Sequence, residues 1–183
     1  MTPPAGPLCE RIVTAPFLME PDAARARVAE WLAGLESQEG VALGALLNAH
    51  PKVRTLLESF AESSPFLWEL ASGDAHRLVA LLTGEPESHL AQLLAANGSA
   101  AALAIDIDGA MRTLRRMKAE AALLIALADI GGVWPVMRAT RALTDLADTA
   151  VDAAVRFALR EAARAGKLSL KDESEPQNGS GYI

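Results

Sequence analysis

With 183 residues and a net charge of −6, the chain is long enough for one domain with a substantial core and too acidic for non-specific nucleic-acid binding, which needs a basic surface. Aromatic residues make up 4% and runs of Val, Ile, Thr and Tyr are missing, so the expected fold class is all-α. The only cysteine, Cys9, excludes an intrachain disulfide framework and a cysteine-based zinc site, and fits a reducing cytosol.

Residues 1–21 are expected to be an irregular N-terminal segment, since Pro3, Pro4, Pro7, Pro16 and Pro21 deny regular hydrogen bonding. This stretch has no apolar core behind basic residues, so no signal peptide is read. The most apolar run, Ala121 to Ala128, is far short of the ~20 residues a membrane span needs. Together these point to the cytoplasm and away from a membrane.

A helical domain is expected over residues 22–166. Asp22 opens a helix to about Leu35, with Val28, Trp31, Leu32 and Leu35 inward and Arg25 and Arg27 outward. Gly34 and Gly40 bracket a turn. Val41 to Ala49 forms a short helix carrying Leu43, Leu46 and Leu47. Pro51 suits a first helical turn, after which Val53, Leu56, Leu57 and Phe60 recur at helical spacing. Ser64 caps a helix that begins at Pro65, carries Phe66, Leu67 and Leu70, and ends at Gly73. Asp74 caps another with Leu78, Val79, Leu81 and Leu82. A further helix from Ser88 is expected to stop at Asn97-Gly98.

Two long arms follow. In DGAMRTLRRMKAEAALLIALADI the stripe is Leu114, Met117, Ala121, Leu124, Ile125 and Ala128, with Asp108 as cap and Gly131-Gly132 as stop. Pro135 opens the second arm, a helix able to reach about 45 Å. Its expected inner side is Val136, Ala139, Leu143, Leu146, Ala147, Ala150, Ala154, Phe157 and Ala158. The architecture predicted is a bundle of several short N-terminal helices packed on a long two-helix hairpin, with an irregular C-terminal tail. Residues 167–183, rich in charge, Ser and Gly, read as a solvated linker. Its end at Tyr182-Ile183 resembles the first residues of a strand, as though the chain were cut there.

No catalytic, cofactor-binding or metal residues are assigned. His50, His76 and His89 sit on different short helices with no i, i+4 pairing. Neither GxGxxG nor GxxxxGK[ST] occurs, and no GxSxG supports a nucleophile. Asp106 and Asp108 alternate as in Mg²⁺-holding strands, yet a helical run follows directly, so capping is the expected role. Arg112, Arg115 and Arg116, with Lys118 nearby, could meet phosphate or an acidic partner, but a solvated face explains them. Arg141–Asp145 and Asp152–Arg156 are spaced for surface pairing. Trp31, Trp68 and Trp134 read as core or corner anchors.

Three stretches carry a resemblance: HPKVRTLLESFAESSPFLWELASGDAHRL, LRRMKAEAALLIALADIGGVWPV and TRALTDLADTAVDAAVRF. From about residue 45 onward the chain resembles the N-terminal helical region of the bifunctional glutamine synthetase adenylyltransferase/adenylyl-removing enzymes, in their alphaproteobacterial form. The resemblance implies a parent enzyme with two nucleotidyltransferase domains that adds AMP to glutamine synthetase and removes it by phosphorolysis. It also implies Mg²⁺ and ATP or ADP as cofactors, and glutamine synthetase, the PII signalling protein and the remainder of the same polypeptide as partners. Family members hold Mg²⁺ with a motif like GxGKxGxxELNxxSDxD, which this chain lacks. The implied role is therefore a helical scaffold preceding the adenylyl-removing domain, inactive alone. A free-standing helical interaction module is the alternative.

Overall fold

The computed structural model describes residues 5–35, 38–172 and 174–178. Among these there are nine α-helices and no strand, as the composition requires: α1 (Leu8–Arg11), α2 (Pro21–Ala33), α3 (Gln38–Ala49), α4 (Pro51–Ser63), α5 (Pro65–Ser72), α6 (Ala75–Thr83), α7 (Pro86–Ala102), α8 (Ile107–Ile130) and α9 (Val136–Arg164). They divide between two compact units. The first draws on Met1–Leu90 and Ala119–Ala142, the second on Ala91–Lys118 and Leu143–Ile183.

In the first unit α4 is the hub, packing on α2, α3 and α5 while α3 and α1 meet α6. The reason is its pattern: Val53, Leu56, Leu57 and Phe60 fall on one face and all are buried. Val28, Leu43, Leu47, Leu78, Leu81 and Leu82 close around them, fully withdrawn from solvent. Each such side chain contributes about 1.5–3 kcal/mol of burial. On α5 Phe66 is 47% exposed, and Ala71 takes the buried position.

Two local start signals act as read: Pro51 and Pro65 occupy first helical turns. Pro21, expected to belong to the irregular segment, instead opens α2. Ser64 accepts the Leu67 amide and Asp74 the Arg77 amide. Asp22, by contrast, lies inside the first turn of α2, and no side chain of the capping residue serves that end. The amides of Met19 and Glu20 leading into α2 donate to the Glu62 carboxylate, at 3.1 and 2.6 Å. Gly40 does not bracket a turn; it lies within α3.

The N-terminal segment is the largest departure from the sequence reading, as far as it lies among the described residues; Pro3 and Pro4 do not. It contains α1 and then a strap. The Leu8 amide donates to the Gly84 carbonyl at 2.9 Å, and the Val13 and Thr14 amides to the Gly131 carbonyl at 2.9 and 3.2 Å. The Thr14 hydroxyl adds a bond to the Ile130 carbonyl at 2.8 Å. Prolines forbid a long helix here, but they leave these amides available to distant carbonyls.

The α8–α9 corner is a glycine stop. Gly132 adopts φ +72°, while the Val133 and Trp134 amides both reach the Ala128 carbonyl. Before it, Ala121, Leu123, Leu124, Ile125, Leu127 and Ala128 are all buried, so this part of α8 is enclosed on more than the single stripe predicted. At the other end of α8 the cap is Asp106, which accepts the Gly109 amide at 2.7 Å; Asp108 sits in the first turn.

In the second unit Asn97-Gly98 does not stop α7, which runs to Ala102. A Cβ at Gly98 would lie 2.7 Å from the Thr149 Cγ2, so the glycine lets α9 approach. Ala101, Ala102 and Ala153 pack together with Leu114 against them. The buried residues along α9 are Ala139, Ala142, Leu146, Ala153 and Phe157. Val136, Leu143, Ala147, Ala154 and Ala158, assigned to the inner side, are exposed. The apolar sector of α9 is wider than the face that is covered, which displaces the real stripe by part of a turn. The described part of the tail, residues 167–172 and 174–178, is mostly exposed, but it is also tied down. Arg156 donates to the Ser174 carbonyl at 2.8 Å, Arg160 at 3.4 Å, and Pro176 is buried. The expected strand lead-in at residues 179–183 lies outside the described residues.

Candidate functional site

Charged groups seldom enter a core unless paired, so Arg11, only 8% exposed in the first unit, calls for a partner. Its two terminal nitrogens grip the Glu87 carboxylate at 2.6 and 2.8 Å. The geometry is the bidentate fork for which a planar guanidinium is suited. Trp134 Nε1 donates to the same carboxylate at 2.7 Å, and the Arg138 guanidinium stacks over the Trp134 ring at 4.7 Å. The Arg11 hydrogen bonds, the largest influence, hold the Glu87 carboxyl down at about 2 against the opposing effect of burial; Trp134 helps. Glu87 in turn raises Arg11 above its ordinary value. Arg11 Nε is buried without a partner.

This node joins α1, the start of α7 and the α8–α9 corner. The two charges are committed to each other, and Glu87 also to Trp134, so neither is poised as an acid, base or nucleophile. A second polar tie lies nearby on the chain: His89 Nε2 is 2.7 Å from Glu120 Oε1, linking α7 to α8 with both side chains about three-quarters buried. The arrangement fastens helices. It offers no reacting centre.

The other residues singled out from sequence are dispersed. His50 precedes α4 and His76 is exposed on α6. Among the described residues no group of three or more His, Cys, Asp or Glu is placed to hold a metal. Arg112, Arg115 and Arg116 are exposed along α8. Arg156 lies 3.6 Å from Asp152, as the spacing predicts. Trp31 and Trp68 meet edge to face with centroids 5.3 Å apart, and Trp31 Nε1 donates to the Ser72 carbonyl; Trp134 is a corner anchor at 3% exposure. Burial pushes the Cys9 thiol up, which leaves it an inert core residue at neutral pH. Among the described residues no helix is long and apolar enough to cross a membrane.

Sequence reasoning missed Arg11, Glu62 and Glu87. Each does its work with partners tens of residues away, and no local spacing announces that.

Comparison with known proteins gives this scaffold a family. Residues 52–180 match the family model of glutamate-ammonia ligase adenylyltransferase. The chain belongs to that family. It is 47% identical over 176 residues to the bifunctional glutamine synthetase adenylyltransferase/adenylyl-removing enzyme of a Bradyrhizobium species, covering 96% of this chain and 18% of the relative. The enzyme of the same description from Rhodopseudomonas palustris is also 47% identical over 176 residues, with the same coverage. That from Xanthobacter autotrophicus is 42% identical over 167 residues, covering 91% of this chain and 17% of the relative. The chain thus spans less than a fifth of the length of these curated relatives. No solved structure matches it.

Within the adenylyltransferase family, then, this stretch is a helical segment whose buried charges bind helices to one another.

Proposed function

We propose that this chain is the helical scaffold of the adenylyl-removing half of an enzyme that adds AMP to glutamine synthetase and removes it, and that it is inactive on its own. The observation that carries this reading is the pairing of two coverages. The relatives match 96% of this chain, yet the chain accounts for 18% of their length. A segment so small a part of a two-reaction enzyme, and so wholly helical, suits support and not turnover.

On this reading Mg²⁺ and ATP or ADP serve the parent enzyme through residues outside this segment. The carboxylates described here do not fit the metal: Asp106 is engaged as the cap of α8, and Asp108 stands on the following helical turn. Glutamine synthetase would be the substrate and the PII protein a regulator of the complete polypeptide, acting in the cytoplasm. Removal of AMP would proceed by phosphorolysis, with the scaffold shaping one wall of that site.

The test is an assay of two proteins on adenylylated glutamine synthetase with phosphate and Mg²⁺. One is this chain. The other is the same chain joined at Ile183 to the polypeptide that follows the matched segment in the Bradyrhizobium relative. The expected result is ADP release by the joined protein alone. Release by the 183-residue chain, or none by a folded joined protein, would overturn the reading.

A further inference from the structure

The arginines of this chain fall into two sets. Outside residues 112–116 every one of them has a partner in the fold: a carboxylate, a side-chain amide, a backbone carbonyl or an aromatic ring. Arg112, Arg115 and Arg116 are exposed on α8, and among the described residues no hydrogen bond, ion pair or ring contact reaches them. The acids that helical spacing offers are not used. Asp108 stands four residues before Arg112 and forms no ion pair with it. Glu120 stands four residues after Arg116, but its carboxylate meets His89 Nε2 at 2.7 Å. Positions 112, 115 and 116 are neighbours on a helix surface, so the three charges repel one another. Nothing inside the chain offsets that repulsion; carboxylates from outside can.

The setting narrows what can meet them. The row stands on the outer side of a helix, whereas small phosphorylated ligands take concave sites with converging donors. A nucleic-acid backbone or an anionic lipid surface needs a broad basic face, and this chain carries a net charge of −6. A protein segment with carboxylates about 5–6 Å apart matches the spacing of the row, and each planar guanidinium can take a carboxylate by two hydrogen bonds. Interfaces that stay covered are the more apolar ones. Solvated charges suit a partner that comes and goes, because they speed its encounter.

From this contrast we infer that Arg112, Arg115 and Arg116 form a docking row for an acidic segment of a separate protein. The probe is a labelled polyglutamate peptide of about 20 residues, with binding to the 183-residue chain read by fluorescence anisotropy. Binding weakens steeply with added salt, and Arg112→Gln, Arg115→Gln and Arg116→Gln together weaken it at least about tenfold. Arg25→Gln, Arg141→Gln and Arg164→Gln together remove as much charge from exposed arginines that have partners, and leave binding within about twofold. The thermal midpoint of the first triple variant is unchanged or raised, since the fold does not use those three side chains. Absence of binding at low salt, or equal weakening by the two triple variants, would overturn the row. So would a midpoint that falls with the first triple variant. Duplex DNA or phosphatidylserine vesicles bound as tightly as the peptide, through the same arginines, would overturn the choice of a protein partner. Loss of peptide binding in the protein joined to the Bradyrhizobium polypeptide would assign the row to the same polypeptide and overturn the separate partner. None of these outcomes depends on ADP release, so the docking row and the scaffold role stand or fall separately.

Discussion

Arg11 and Glu87 are 76 positions apart in sequence and face each other through two charge-assisted hydrogen bonds. The arginine side chain is 5% exposed and the glutamate 27%, so the guanidinium depends on its partner far more than the carboxylate does. Replacing one member of a largely buried pair leaves the other charged without compensation.

Glu87→Gln should accordingly lower stability by about 3 kcal/mol, toward the low end for such pairs because the carboxylate keeps some water. Urea denaturation measures it. The loss should depend on pH with a definite sign. Glu87 has a folded value of about 2 against an ordinary 4.5, so its contribution is complete above the ordinary value and fades as pH falls toward 2. The gap between wild type and Glu87→Gln therefore narrows on acidification; a gap that widens would show the pair is mis-assigned.

Glu58 should behave in the opposite sense. It is 3% exposed on α4, and burial raises its carboxyl above the ordinary value, with Arg25 and Arg54 only partly countering this. A raised value means the fold prefers the proton, and stability falls as pH rises through the folded value. Glu58→Gln should raise the denaturation midpoint near neutral pH and leave it almost unchanged at about pH 3.

The rotation of the covered face of α9 predicts a contrast between neighbours. Leu146 is 8% exposed and Leu143 51%. Leu146→Ala should cost about 2–4 kcal/mol, and Leu143→Ala in the short chain within about 0.5 kcal/mol of nothing. On α8, Leu124→Ala, at full burial, should cost about 2–5 kcal/mol. Comparable losses at positions 143 and 146 would restore the stripe expected from sequence.

Gly98 offers a test with two opposing terms. Alanine in mid-helix gains about 1 kcal/mol over glycine, yet overpacking costs about 1–3 kcal/mol. With only 2.7 Å between the new Cβ and Thr149 Cγ2, Gly98→Ala should be net destabilising. Adding Thr149→Ala removes that methyl and should convert the loss to a gain relative to Thr149→Ala alone. A double-mutant cycle reads the coupling.

These contrasts also explain what could be read before the structure. Pro51, Ser64-Pro65, Asp74 and Gly131-Gly132 were legible because their physics is local: a ring that suits a first turn, a side chain that reaches an amide three residues on, a backbone that tolerates positive φ. Gly98 misled because a helix-weakening residue is also the smallest one, and only the proximity of Thr149 reveals which property matters. The stripe on α9 misled because periodicity reports how much apolar surface a helix has, not how much of it a neighbour covers. Capping at the start of α8 is legible, but it falls to Asp106 and not to Asp108, two positions later. The Arg11–Glu87–Trp134 node and the tie at Ser174 were invisible, since each is made by residues that have no reason to meet until the fold exists.

The strap of residues 8–14 has a consequence for synthesis. Its hydrogen-bond acceptors are Gly84, Ile130 and Gly131, so these residues can reach their place only after segments far later in the sequence have been made. During translation α1 can dock only after the turn at Gly84 exists, and the amides of Val13 and Thr14 must wait for the α8–α9 corner to leave the ribosome. Closing so long a loop is entropically costly until its contacts form, which makes the N-terminal segment a latch fastened late.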